Sequence, residues 1–196
     1  MKLLRIIGLI LVLSPLGQAF GAAAEASGDQ EPTPKELFAA IKEPTTDEET
    51  CIALLDRYTG DLKEVFDTKL DAKCGLTNYA AYYGKKAVLV HLIETKGLNP
   101  STLRSDGMTL AHGAAFGGHV DVLVYLASKG IRLDATNSSD MTPAHLAARN
   151  GHRDALRFLI EKGANPRATD SDGSTPAHFA ALNGHVEVLE FLAAIK

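Results

Sequence analysis

Several common signatures are missing from this 196-residue chain. It has no tryptophan and only two cysteines. No nucleophile elbow, phosphate-cradling glycine loop or Cys–His nucleophile arrangement occurs, so catalysis has no sequence feature in its favour. Asp106-Gly107 and Asp172-Gly173 read as turns, not as carboxylate pairs for acid–base work. No cofactor motif is present. There is no basic excess either: 20 Lys and Arg stand against 24 Asp and Glu, net −4, with no basic stripe. That makes nucleic acid a poor partner. The apolar run Ile6 to Leu13 is well short of the ~20 residues needed to span a bilayer. What remains is an ordinary soluble composition, large enough for one domain.

The first residues carry a different message. Lys2 and Arg5 precede Ile6 to Leu13, and small residues follow around Ala19, Gly21 and Ala22. A basic start, a short apolar run and a small-residue exit make a secretory signal peptide, here residues 1–21, with cleavage after Ala19 or Gly21. A membrane anchor is disfavoured by the run's length, and a lipoprotein by the lack of a following cysteine. The expected destination is the periplasm, or the medium outside the cell. Residues 22–34 then read as a flexible linker.

Charge is unevenly spread. Residues 25–71 hold 13 acids and 5 bases, while 72–196 hold 11 acids and 13 bases. A solvated acidic face is the ordinary explanation for the first part. Thr33-Pro34 opens a helix from Lys35 to Lys42, and Pro44 stops it. A second helix starts from Thr46-Asp47-Glu48-Glu49, a capping-box pattern, and runs to about Tyr58. The stretch 62–73 suits a short helix better than an enlarged hairpin, because Leu62, Val65, Phe66 and Leu70 fall at helical spacing.

The rest of the chain repeats. Thr142, Pro143, His145, Gly151 and His152 return 33 residues later as Thr175, Pro176, His178, Gly184 and His185. Thr109, His112, Gly118, His119 and Gly130 stand 33 residues earlier than Thr142, His145, Gly151, His152 and Gly163. Each position has a mechanical use. The Thr hydroxyl caps a helix, and Pro sits where no N–H is needed. Gly151 ends the first helix and Gly163 the second, each at a left-handed residue. Ala144, Ala147 and Ala148 allow close helix approach. Ala155, Leu156, Phe158, Leu159 and Ile160 give the second helix an apolar face. An earlier unit, Gly75 to Gly97, fits with an offset of 34. Gly75 takes the Thr place, Asn78 the His place, and one extra residue lies just before Gly97.

A 33-residue period with this T-P-x-H and G-H register resembles the ankyrin repeat. The resemblance covers roughly residues 72–196. It implies an all-α solenoid of stacked helix-turn-helix units with projecting hairpin loops. Residues 35–73 then form a helical cap or degenerate first repeat. Repeats follow at 74–106 (divergent), 107–139, 140–172 and 173–196. No unit can bury its own apolar face, so stability is a sum over neighbours. At the far end Glu187, Glu190 and Lys196 must keep the outer face wet.

Within such a stack the histidines read as structural. Equivalent positions lie ~8–10 Å apart, whereas a zinc ion needs its ligand nitrogens ~2 Å from one centre. His112, His145 and His178 therefore cannot converge on a metal. His91 stands where later units carry Tyr125, Phe158 and Phe191, and is expected to pack. Cys51 and Cys74 would meet oxidising conditions after export, which favours a disulfide. In the stack they fall at opposite ends of a helix, which opposes one. Both outcomes stay open.

The resemblance also implies a partner surface of loop tips and first-helix ends, taking another protein. Its positions here are Ser105, Asp106 and Met108; Ser138, Ser139 and Met141; Ser171, Asp172 and Ser174. On the helix ends they are Tyr82 and Tyr83, Phe116 and Gly117, Arg149 and Asn150, Leu182 and Asn183. Tyr82, Met108 and Met141 are expected to face solvent; Tyr83 and Phe116 either do so or tuck between helices. Large exposed apolar groups point to an interface. The reading is an exported, non-catalytic protein-binding module, a monomer or part of a heterocomplex, with no membrane contact after cleavage. It would sequester or inhibit another envelope protein, as an immunity protein does against a periplasmic hydrolase. A protective factor in oxidative or envelope stress is a second reading. An enzyme with a site between the cap and the first repeat is a third.

Overall fold

The computed structural model describes residues 31–67 and 74–195. The expected signal peptide, most of the expected linker, and Lys196 lie outside the described residues. Helix α1 spans Pro34–Lys42 and α2 spans Glu48–Arg57. Thr33 caps α1: its N–H donates to Glu36 Oε2 at 2.7 Å, and its hydroxyl accepts from Glu36 N at 3.4 Å. The cap of α2 is Asp47, not Thr46; its carboxylate accepts from Thr50 N at 2.7 Å. A carboxylate serves better here because it also meets the positive end of the helix dipole.

The favoured reading of 62–73 as a helix is corrected. A single 3₁₀ turn, Leu62–Glu64, is followed by two short antiparallel strands, β1 (Phe66–Asp67) and β2 (Cys74–Gly75). Phe66 stands opposite Gly75 and Asp67 opposite Cys74. These are the arms of an enlarged hairpin. Leu62 and Val65 are buried, and apolar residues three apart on one tight turn look like the start of a helix in sequence. Residues 68–73 lie outside the described residues.

The remaining helices are α3 (Leu76–Tyr82), α4 (Lys86–Val90), α5 (Leu110–Gly117), α6 (Val120–Ser128), α7 (Pro143–Arg149), α8 (Arg153–Glu161), α9 (Pro176–Leu182) and α10 (Val186–Ala194). The odd-numbered helices pack in a row, α1 on α3 on α5 on α7 on α9. The even-numbered ones make a second row, α2 on α4 on α6 on α8 on α10. Residue size explains the two rows. Ala80, Ala81, Ala111, Ala114, Ala115, Ala144, Ala147 and Ala148 are buried in the first, where small side chains let helices approach closely. Leu89, Leu92, Leu123, Leu126, Leu156 and Leu159 fill the space behind them. This is an all-α solenoid carrying, among the described residues, one two-residue strand pair.

The extra residue of the first repeat has a definite place. Helix α4 continues into a π-helical turn, His91–Thr95, and Lys96 N donates to His91 O at 3.0 Å. A π turn carries one more residue than an α turn, so the insertion is absorbed inside the helix. After it, Leu98 N bonds Leu92 O, where the later units use Ile131 N to Leu126 O and Ala164 N to Leu159 O. The register of the next unit is thereby restored.

Candidate functional site

Histidines of the later repeats clamp neighbouring units together. In the third repeat, Thr142 N donates to His145 Nδ1 at 3.0 Å, and the Thr142 hydroxyl lies 2.9 Å from the same nitrogen. His145 Nε2 lies 3.1 Å from the Ser174 carbonyl of the next unit. A carbonyl only accepts, so Nε2 carries the proton and Nδ1 is bare. His112 does the same between Thr109 and the Met141 carbonyl, at 2.9 Å. Both imidazoles are fully buried. Burial lowers the pKa of each below its ordinary value, against smaller opposing effects of the accepting carbonyls and of Asp106 or Asp170.

A second row of histidines reaches backward. His119 Nε2 lies 3.0 Å from the Tyr82 carbonyl, His152 Nε2 lies 2.9 Å from the Phe116 carbonyl, and His185 Nε2 lies 2.9 Å from the Arg149 carbonyl. Each ring lies over the glycine that ends the preceding first helix. A Cβ on Gly118 would stand 2.6 Å from His152 Nδ1, and one on Gly151 2.6 Å from His185 Nδ1. These glycines also hold positive φ, 75° and 76°. They are required twice over: for the left-handed turn and for the ring above it.

The carbonyls so held, of Tyr82, Phe116 and Arg149, belong to one register position, which Leu182 occupies in the fourth repeat without a histidine on its carbonyl among the described residues. Their side chains form a column along the row of first helices. Tyr82 is 38% exposed and stacks on half-buried Phe116, centroids 5.1 Å apart and planes 24° apart. Tyr83 is half-buried against Tyr82 and Tyr79. Thus Phe116 and Tyr83 sit between the two alternatives left open by the sequence. Arg149 is exposed, and Leu182 is 80% exposed. Asn150, expected to face a partner, is half-buried and donates from Nδ2 to the Phe116 carbonyl at 3.1 Å. It secures the column from behind.

The loop tips are joined to one another. Ser138 N donates to the Asp106 carbonyl at 3.0 Å, and Ser171 N to the Ser139 carbonyl at 3.1 Å. Ser105, Ser138 and Ser171 are exposed. Met108 and Met141 are only half-buried, not open to solvent. Their carbonyls bond Arg104 N and His112 Nε2, which draws the loop inward. Arg104 Nε donates to Asp106 Oδ1 at 3.0 Å. Leu103, 59% exposed, is an apolar tip residue that the sequence reading passed over; Thr136 and Thr169 stand in its place in later units.

The cap meets the first repeat through polar contacts that no repeat register could reveal. Helix α4 has no side-chain cap of its own, and Glu48 Oε2 accepts from Val88 N at 3.1 Å instead. Lys85 Nζ donates to the Thr46 carbonyl at 2.6 Å. Asp56 lies 3.0 Å from His91 Nε2 and 2.7 Å from Lys96 Nζ. The Lys96 bond above all, with the His91 charge, holds the Asp56 carboxyl below the usual range. The Cys51 thiol is buried and free, 3.4 Å from the Ala40 carbonyl. It faces α1, not the hairpin, so the sequence case for pairing it with Cys74 finds no bond at Cys51. Burial pushes this thiol's pKa up, which makes it a poor nucleophile.

A cleft of about 380 Å³ does lie beside this junction. It is lined by Leu62, Lys63, Val65, Leu76, Thr77 and Leu98, among others. Among its lining residues there is no carboxylate, histidine or cysteine.

A search of curated proteins finds no match. A sequence model of ankyrin repeats, spanning three copies, matches residues 77–170 and again 135–196. With those matches falling on the clamped helix pairs and joined loops described above, the chain belongs to the ankyrin-repeat family, whose members are protein-binding modules.

Proposed function

We propose that this chain is an exported, non-catalytic module that holds another envelope protein, sequestering or inhibiting it. The partner would contact the column Tyr82, Phe116, Arg149 and Leu182, together with the tips at Ser105, Ser138 and Ser171. Tyr83 lies beside the column, while Met108, Met141 and Asn150 support the surface from within. The observation that carries this reading is the column itself. Histidines from the next unit fix its backbone at Tyr82, Phe116 and Arg149, while Tyr82, Arg149 and Leu182 are exposed and Phe116 is half-buried beneath Tyr82. A rigid surface loses little entropy on binding, and aromatic and arginine side chains carry most interface energy.

Export rests on the sequence pattern of residues 1–21, and the guarded-hydrolase role rests on export. A recognition stack acts by occupying its target. Affinity capture from an envelope extract tests this, run in parallel with the parent and with Tyr82, Phe116 and Arg149 all changed to Ala. A specific protein retained by the parent and lost by the triple variant is expected. Recovery unaffected by the triple change would remove this surface from the binding site.

A further inference from the structure

The column contains one charge among apolar groups. Tyr82 and Phe116 form a stacked aromatic platform. Arg149 follows, then Leu182. Arg149 makes no ion pair among the described residues, whereas Arg104, Arg132 and Arg157 each pair with an aspartate within three positions. Arg153 and Arg157 also lie over the Phe191 ring. Among the described arginines, Arg149 and Arg167 stand exposed with a guanidinium that meets neither a carboxylate nor a ring, and of the two only Arg149 lies on the column. The loop tips bear the other sign, since Asp140 and Asp172 are exposed. A carboxylate on a bound chain is thus attracted to the helix ends and repelled from the tips.

Resting on the protein-binding reading above, we propose that the occupant is a protein segment with side chains in the order apolar, acidic, apolar. The first apolar group packs on Tyr82 and Phe116, the carboxylate pairs with Arg149, and the second apolar group covers Leu182. Guanidinium suits a carboxylate because its planar fork can donate two parallel hydrogen bonds. Successive units are ~8–10 Å apart. A polyproline II segment, rising ~3.1 Å per residue with three residues per turn, places these three side chains on one face about three residues apart. A helix, rising ~1.5 Å per residue, places them about seven apart.

The test is selection of a random peptide library, about sixteen residues long to span either spacing, displayed on phage, against the full chain. The expected consensus is apolar–acidic–apolar, at a spacing of three or seven. Selection on Arg149→Glu should exchange the acidic position for Lys or Arg. A selected acidic peptide should bind Arg149→Glu about three- to tenfold more weakly than the parent, with the loss shrinking at high salt. Recovery by an acid-to-lysine change in the peptide would fix the pairing. Binders that compete for the column but show no acidic preference, or an unchanged consensus on Arg149→Glu, overturn the charge assignment and leave the column as a binding surface. Binders insensitive to Tyr82→Ala, Phe116→Ala and Arg149→Glu alike overturn both. A library yielding no column binder counts against both in the same way.

Discussion

The third and fourth repeats carry nearly the same residues in different surroundings. His145 is fully buried and bonded to the Ser174 carbonyl, while His178 is exposed. Leu156 is fully buried, while Leu189 is half-buried. Ala148 is buried, and Ala181 is exposed. A Cβ on Gly151 would strike the His185 ring, while one on Gly184 would meet nothing within 4 Å. The difference is one neighbour. A motif of this kind has no fixed energetic value; most of its worth lies in the unit stacked on it.

The largest consequence is in the core. Leu156→Ala should cost ~2–5 kcal/mol, the range for truncating a buried leucine. Leu189→Ala should cost clearly less, because part of that side chain is already in water. Urea unfolding of both variants measures the contrast. Equal losses would mean that the end unit is as well packed as an internal one.

Next come the glycines. Gly184→Ala should cost about 1 kcal/mol, from the positive φ alone. Gly151→Ala should cost that and more. The new methyl must move the His185 ring off the Arg149 carbonyl, sacrificing a hydrogen bond worth about 1 kcal/mol. Thermal melts of the pair read the difference. The internal variant should also lose affinity for a bound partner, since it loosens the backbone beneath Arg149.

Acid should unfasten the internal clamps. His112, His145 and His152 are held below the ordinary 6.5, in each case chiefly by burial. The unfolded chain therefore takes up protons before the folded one does. Their contribution to stability is full above pH 6.5 and declines as pH falls toward the lowered values. At His145 the clamp geometry itself opposes a second proton besides burial: a proton on Nδ1 would face the Thr142 N–H that now donates to it. Urea midpoints should fall between pH 7 and acid, and His145→Ala should fall less steeply from its lower starting point. A His145→Ala slope matching the parent would show that this histidine does not titrate on unfolding.

Much of this was legible in the sequence because repetition averages out ambiguity. Thr142 and His145 could be read with confidence once Thr109 with His112 and Thr175 with His178 said the same. The one-residue insertion before Gly97 was legible for the same reason, though not its form as a π turn; helical geometry beyond the count needs coordinates. The cap was read less well. With no second copy to compare, Thr46 and Asp47 were equally good helix caps, and 62–65 resembled a helix. Glu48 reaching Val88, and Asp56 reaching His91 and Lys96, span distances in sequence at which no pattern exists. On the candidate surface, residue type led to the expectation that Tyr82 faces solvent, and it is exposed. Residue type misjudged Met108 and Met141, whose exposure depends on how far their carbonyls pull the loop inward.

The smallest effect sits at the loop tips and concerns a residue that breaks the pattern. Gly107 and Gly173 hold φ of 78° and 76°. Between them Asp140 takes the same place at φ 57°, the only positive-φ residue other than glycine among those described. Aspartate tolerates this region better than most side chains, because its short carboxylate can bond locally. Asp140→Gly removes that strain but adds freedom to the unfolded chain, and the two nearly cancel. The expected gain is under ~0.5 kcal/mol. Asp140→Ala keeps the Cβ and lacks the carboxylate, so it should lose about 1 kcal/mol. The order of melting temperatures should be Gly at least equal to Asp, and both above Ala. Gly107 again separates an internal junction from the end, because a Cβ there would stand 2.9 Å from Ser138 N, while Gly173 has open space. Gly107→Ala should therefore cost more than Gly173→Ala. If the two cost the same, the tips are not held against one another, and the bond from Ser138 N to Asp106 adds nothing to the stiffness of the binding face.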